Sequence, residues 1–160
     1  MMPMINEEAK LKRFIAEHGV PGEHLTYPYC IHSVEQCVRV SGIPVWQIIK
    51  TIIFKGPAGQ VVAAVVPAEF RVSVSSLEKA AGLSPLTVAT PEEAYTLTGY
   101  PAGGTPCFGY DALRIVDSRV FEQESVYTGG GSEFSLTRIP TDWLRTQSPV
   151  IARIHGSKSN

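Results

Sequence analysis

At 160 residues the chain is about the size of one domain and long enough to bury a core. Its 14 basic and 15 acidic residues leave a net charge of −1, which excludes a polybasic nucleic-acid binder and confines any contact with RNA to a local patch. A 44% hydrophobic and 18% charged composition describes an ordinary soluble globule, and no apolar run approaches the roughly 18 residues of a membrane span.

The first residues, Met1 to Glu8, lack a basic segment followed by an apolar one, so no secretory signal is expected. The pattern then predicts a helix from Asn6 to His18. Asn6 caps it, Glu7 and Glu8 suit its positive end, Ala9, Leu11, Phe14 and Ile15 form the buried stripe, and Gly19 stops it. Val20-Pro21-Gly22 is a turn, and His24 to Tyr29 reads as a short strand broken by Pro28. Ser33 and Gln36 have capping-box spacing and open a second helix that runs to about Ser41 and stops at Gly42.

The clearest β signal is central. Lys50 to Lys55 and Gln60 to Val66 are β-branched runs joined by Gly56-Pro57-Ala58-Gly59, an antiparallel hairpin with both strands largely buried. Phe70 to Val72 is extended, and Ser75 or Ser76 caps a helix ending at Gly82. Leu86 to Ala89 is strand-like. Thr90-Pro91-Glu92-Glu93 then starts a helix with a cap, an N1 proline and an acidic first turn, and this helix ends at Gly99.

Two more strands are expected at Leu113 to Asp117 and Ser125 to Thr128, with a short helical turn near Ser118 to Phe121 between them. Glu133 to Arg138 reads as a strand, Pro140 to Leu144 as a short helix and Val150 to Ile154 as a last strand, with residues 1–5 and 156–160 fraying. The whole is an α/β (α+β) chain, one domain over residues 1–160, with a mixed, curled sheet and helices packed outside it.

Two loops stand out as surfaces shaped to hold something. Gly99-Tyr100-Pro101-Ala102-Gly103-Gly104-Thr105-Pro106 carries three glycines and two prolines, more special residues than a connection needs, and Thr128-Gly129-Gly130-Gly131-Ser132 is a second cluster. Such loops expose backbone N–H groups that bind an anion or a developing oxyanion, although neither has the spacing of a phosphate-binding P-loop. Lys50 stands at the mouth of the apolar hairpin. It is either a lysine snorkelling at the sheet edge or a cation facing a polar ligand.

No serine elbow or cysteine-protease motif is present. Ser33 reads as a helix cap, and His32 lines a pocket or the surface. Asp117 either orients a loop or pairs with Arg114 or Arg119. Three cysteines, Cys30, Cys37 and Cys107, form no C-x-x-C pair, which points away from a disulfide framework and toward a reducing cytoplasm. A zinc site assembled from Cys30, His32 and Cys37 competes with small apolar thiols in the core, and the thiol reading is preferred.

Taken in order, Ile49-Lys50-Thr51-Ile52-Ile53-Phe54, Val65-Val66-Pro67, Thr98 to Pro106 with Phe108-Gly109, and Tyr127-Thr128-Gly129-Gly130 resemble the YbaK family, the prolyl-tRNA-synthetase-associated editing domains. The likeness spans about residues 25 to 145. It implies a barrel-like mixed sheet flanked by helices, and hydrolysis in trans of the ester joining a wrong, small amino acid to tRNA: cysteine or alanine, on proline tRNA. It places the chemistry on Lys50, Gly129 and Gly130. Substrate binding falls on Tyr27, His32, Thr51, Gly99, Tyr100, Gly103, Gly104, Thr105, Pro106, Thr128 and Gly131.

The implied partners are the acceptor end of an aminoacyl-tRNA and an aminoacyl-tRNA synthetase, with no DNA, membrane, metal or cofactor. Two departures, Ser135 where some members carry an acidic residue and Cys107 where proline is frequent, bear on amino-acid preference and leave Lys50 untouched. An aminoacyl ester is already activated, so positioned water and a held oxyanion suffice, without a triad. The alternative is a non-catalytic module that binds aminoacyl-tRNA or a synthetase with the same pocket. A hydrolase of some small ester or thioester is the third reading.

Overall fold

The computed structural model describes residues 6–159, so the fraying expected of residues 1–5 lies outside it. Strand β1 (Glu23–Thr26) follows helix α1 (Asn6–Glu17), and helix α2 (Val34–Ser41) opens on the expected capping box at Ser33 and Gln36 and closes on Gly42 in the left-handed region. A single 3-10 turn, Val45–Gln47, leads into β2 (Ile49–Lys55), which pairs antiparallel with β3 (Val61–Pro67) and sets Lys50 opposite Val66 and Thr51 opposite Val65. Short β4 (Phe70–Val72), α3 (Val74–Ala81), β5 (Thr87–Val88) and α4 (Pro91–Thr98) then carry the chain over to β6 (Leu113–Asp117), which runs parallel to β3.

After β6 come β7 (Ser125–Gly129), β8 (Ser135–Pro140), α5 (Thr141–Thr146), β9 (Val150–Ala152) and β10 (His155–Lys158). Three sheets result: a mixed five-stranded one in the order β5-β2-β3-β6-β9, a three-stranded antiparallel one in the order β1-β8-β7, and the pair β10-β4. The mixed α/β architecture is the one expected, and the curl stays open instead of closing into a barrel. A lone parallel bridge, Ile48 to Tyr127, joins the larger two sheets.

Strand β3 explains why the hairpin is so apolar. Val62 to Val66 are wholly inaccessible, because β3 is buried on both faces. Val65 packs with Val116, Val126, Ile139, Leu11 and Tyr100 in one cluster; Val62, Ala64 and Val66 pack with Leu77, Ile115 and Ile154 in another.

Local differences have local causes. Ser73, not Ser75 or Ser76, caps α3, since its hydroxyl accepts the Ser76 N–H at the third helical position. The strand expected from Glu133 begins at Ser135, because Ser132 to Phe134 turn on a Phe134 N–H bond to the Ser132 hydroxyl. Residues 156–158, expected to fray, complete β10 against β4. Asp117 orients a loop, as one reading had it, but neither arginine side chain is its partner. Its carboxylate accepts the backbone N–H of Arg119, Ile154 and His155 and meets the His155 ring at 2.8 Å, while Arg114 donates to the carbonyls of Cys107 and Tyr110.

Candidate functional site

The bridge at Ile48 and Tyr127 is where β2 and β7 part. Beyond it no further ladder joins the two strands, and five consecutive residues, Ile48 to Ile52, line a cleft together with Gly129. Side chains alternate along a strand, so an unbroken run of lining residues means that the strand presents its edge, with ladder groups free of a partner strand. The cavity is about 220 Å³. Its floor is apolar, from Ile31, Val34, Cys37, Ala68 and Leu136, and its rim is polar, from His32, Lys50, Thr51 and Gly103.

Lys50 is half-buried here, and among the described residues no acceptor lies within hydrogen-bond or ion-pair distance of it. Burial, with Arg71 adding like-charge repulsion, pulls its pKa below the ordinary lysine value. Thr51, the next residue, carries a buried hydroxyl without a hydrogen-bond partner among the described residues. Such atoms are few: the other one among the described residues, the Tyr100 hydroxyl, lies in the core, so Thr51 is the one on the cleft, next in sequence to the half-buried ammonium of Lys50.

The two glycine loops meet at this cleft. A Cβ on Gly104 would overlap the backbone of Ser132 and Gly131, and one on Gly129 would overlap that of Thr105 and Gly104. Both positions are glycine so that one loop's backbone can lie against the other's. Several of the expected donors are used up: across the contact Gly131 N–H goes to Gly104 O at 2.8 Å, and within each loop Gly130 N–H goes to Ser135 O at 3.2 Å and Gly104 N–H to Pro101 O at 2.9 Å.

Those three amides therefore face the protein, a correction to the picture of loops that offer all their N–H groups outward. Others differ. Gly130 pairs with Ser135 in the ladder, so alternation turns the Gly129 N–H away from β8. Ala102 and Gly103 open a 3-10 turn (Ala102–Gly104) with no side-chain cap, so their N–H groups have no acceptor within it.

Of the residues singled out from sequence, His32, Lys50, Thr51, Gly103, Gly104, Thr105 and Gly129 line the cavity. The rest support it or lie apart. Thr128 is inaccessible and its hydroxyl accepts the Cys107 N–H, tying the two loops together from behind. Pro106 accepts a hydrogen bond from Tyr110, and Tyr100 is inaccessible in the core. Gly99 caps α4 and sits with Lys10 and Tyr95 in a separate surface depression. Tyr27 packs at the edge of the cluster around Ile31 and Cys37. Gly130 and Gly131 hold the loop and do not line the cavity.

At the rim, His32 Nδ1 lies 3.2 Å from Glu133 Oε1, and the Cys30 thiol donates to the same carboxylate. Cys37 is buried on the floor, whereas Cys30 and His32 share Glu133 at the rim, and no cluster of three metal-ligating side chains occurs among the described residues. Burial pushes the Cys37 thiol up and takes that of Cys107 to about 11, which leaves both as neutral thiols near neutral pH. Ile31 lies in the segment Tyr27 to Ser33 that the resemblance sets along the pocket, but Val34, Cys37, Ala68 and Leu136 were not foreseen as part of the site, because nothing in such residues separates cavity wall from core.

Comparison with known proteins fits this geometry. A family model for the aminoacyl-tRNA editing domain matches residues 30–146. Proline–tRNA ligase of Thermosipho africanus (strain TCF52B) is 30% identical over 103 residues, which are 64% of this chain and 18% of the ligase, so the chain spans about a fifth of that relative's length. The crystal structure of the hypothetical protein APE2540 superposes with a TM-score of 0.83 at 29% identity, covering 92% of this chain and 99% of that one. The fold is shared with a candidate trans-editing enzyme for prolyl tRNA synthetase, at a TM-score of 0.86 and 23% identity over 97% of this chain and 100% of the other. Over the matched stretch, which holds the cleft, Lys50 and both glycine loops, the chain belongs to the aminoacyl-tRNA editing domain family.

Proposed function

We propose that the protein hydrolyses the ester of a mischarged small amino acid, cysteine or alanine, on proline tRNA, acting in trans. The observation that carries this reading is the half-buried Lys50 ammonium, free of a counter-ion among the described residues, on a cleft walled by both glycine loops. A volume of about 220 Å³ lies below the roughly 300–1,000 Å³ of drug-sized pockets, so the aminoacyl end enters while the nucleotides stay outside. The apolar floor suits a small neutral side chain. Trp46 and Tyr29, both well exposed and close in sequence to lining residues, offer faces on which terminal bases stack.

In the reaction, water adds to the ester carbonyl carbon and its oxygen takes up negative charge. The carbon–oxygen bond to the ribose then breaks, the ribose oxygen takes up the proton that the attacking water gives up, and the free amino acid leaves. Lys50 neutralises the anion at this end of the substrate, either the developing oxyanion or the terminal phosphate. The N–H groups of Gly129, Ala102 and Gly103 are the donors left to share that work. The Thr51 hydroxyl bonds the substrate or the attacking water. In this reading the addition of water is direct, and burial holds the Cys37 thiol on the floor in its neutral form.

The test is deacylation of tRNAs charged with cysteine, alanine, serine, threonine and proline. Cysteine or alanine on proline tRNA should be released well above the buffer rate and proline should be spared. If no charged tRNA loses its amino acid faster than in buffer, the deacylase reading fails. The engaged amides of Gly104, Gly130 and Gly131 favour a second reading, a module that binds aminoacyl-tRNA without cleaving it. Tight binding with no release would establish that reading instead.

A further inference from the structure

Helix α1 precedes the family-matched residues 30–146, yet it closes on the second glycine loop. Glu8, in its first turn, is only 4% exposed. A glutamate there gains its interaction with the helix dipole from an exposed position as well, so the dipole does not explain burying it. Its partner does. Glu8 Oε2 accepts the hydroxyl proton of Ser132 at 2.5 Å.

The Ser132 oxygen also accepts the Phe134 N–H at 3.0 Å and lies 3.0 Å from the Ser135 hydroxyl. A serine hydroxyl has one proton and two lone pairs. With that proton committed to Glu8, Ser135 must be the donor in the remaining contact, and Ser132 becomes saturated. A second residue ahead of the matched stretch holds the other side of the loop: His24 Nε2 donates to Gly130 O at 2.8 Å. The loop also lies so close to α1 that a Cβ on Gly131 would come within 2.8 Å of the Glu7 carbonyl oxygen. Glu8, Ser132 and Ser135 thus form a buried line of bonds from a helix outside the matched stretch to the strand end behind Gly129.

We propose that Glu8 is a positioning residue. Acting through Ser132, it fixes the loop from Gly129 to Ser135 and with it the Gly129 wall of the cleft that Lys50 also lines. Its kinetic consequence rests on the deacylase reading, and its structural consequence does not. A wall displaced by an ångström loses its oxyanion geometry while the rest of the substrate still binds, so the effect belongs in kcat.

The experiment compares Glu8→Ala, Glu8→Gln, Ser132→Ala and the double Glu8→Ala/Ser132→Ala variant with the parent chain, by deacylation kinetics well below each melting temperature and by amide hydrogen exchange. Glu8→Ala and Ser132→Ala should each lower kcat about tenfold with KM within about twofold, and the double variant should be no slower than either single one, since both cut the same line. Glu8→Gln keeps an acceptor oxygen and should recover most of the rate. Exchange over 129–135 should quicken about tenfold in Glu8→Ala, with helix α2 unchanged. Should Glu8→Ala fail to fold, Ser132→Ala, which removes one oxygen, carries both readouts.

Unchanged exchange over the loop overturns the proposal whatever the enzyme does, and so does faster exchange with kcat intact, or kinetic effects that multiply independently. A parent chain that releases no amino acid, together with variants whose loop exchange quickens, sinks the deacylase reading and leaves the clamp standing.

Discussion

Lys50 and Asp117 hold comparable places in one sheet and live by opposite rules. Each is a charged residue directly after an apolar one, one near the start of β2 and the other at the end of β6. Asp117 is inaccessible, and its two carboxylate oxygens accept three backbone N–H groups and face the ring of His155. Burial alone would raise its pKa, yet those bonds outweigh burial and hold the carboxyl below its ordinary value. Lys50 is half-buried with no such partners, and its pKa moves in the direction that disfavours its charge. A buried charge with every partner in place fixes a fold; one without partners keeps a cost that only a ligand relieves.

Exchanging each for alanine should separate the two most widely. Asp117→Ala leaves four donors facing an empty place and should cost about 3–5 kcal/mol in urea unfolding, the penalty for breaking a buried polar pair. The surviving folded molecules should deacylate at the parental rate. Lys50→Ala should leave stability unchanged or slightly higher and lower kcat/KM at least about 100-fold, or about 2.7 kcal/mol of transition-state stabilisation. The contrast breaks if Lys50→Ala destabilises as much as Asp117→Ala, or if folded Asp117→Ala is inactive.

The pH dependence of stability sharpens it further. The folded carboxyl of Asp117 lies below the unfolded 3.8, so its contribution is present above that value and lost as the pH falls through the folded pKa. The folded ammonium of Lys50 lies below the unfolded 10.5, so between the two values the folded state sheds its proton first and stability rises with pH. Both slopes are positive, but the acid one records a gain and the alkaline one the removal of a cost. Urea midpoints against pH should show the acid limb reduced in Asp117→Asn and the alkaline rise absent in Lys50→Met. A persistent alkaline rise in Lys50→Met would assign it to another group.

Which of these rules a residue follows was only partly legible in the sequence. Signals confined to a few neighbouring residues read through: the capping box at Ser33, the cap at Thr90, the helix-ending glycines at Gly42 and Gly99, and the hairpin whose two apolar runs are joined by a short turn. Lys50 was marked as a cation at an apolar strand and the two loops by their density of glycine, while Thr51 was marked only by the family resemblance. Pairings made across the chain were not. His155 lies 38 residues from Asp117, and Glu8 lies 124 from Ser132; nothing local distinguishes them from a tail histidine or a dipole-facing glutamate. Nor does a glycine-rich loop announce where its N–H groups point. Gly104, Gly129 and Gly131 turned out to serve the contact between loops, a task that needs the same residue as anion binding does.

The smallest change tests the rule at its most local. Thr51 is buried beside Lys50, and its hydroxyl lacks a partner in the structure. Valine has nearly the same shape without the hydroxyl. If the oxygen were merely trapped, Thr51→Val would relieve a desolvated polar group, raise stability by up to about 1 kcal/mol and leave catalysis alone. If the hydroxyl is held open for substrate or water, the same variant gains that stability and also loses about tenfold in kcat/KM, since a site shaped around a hydrogen bond is penalised when the bond cannot form. Urea unfolding and deacylation on the one variant decide between the two. Stability and activity falling together would mean that Thr51 has a partner in solution and belongs with Asp117, among the satisfied groups that hold the sheet.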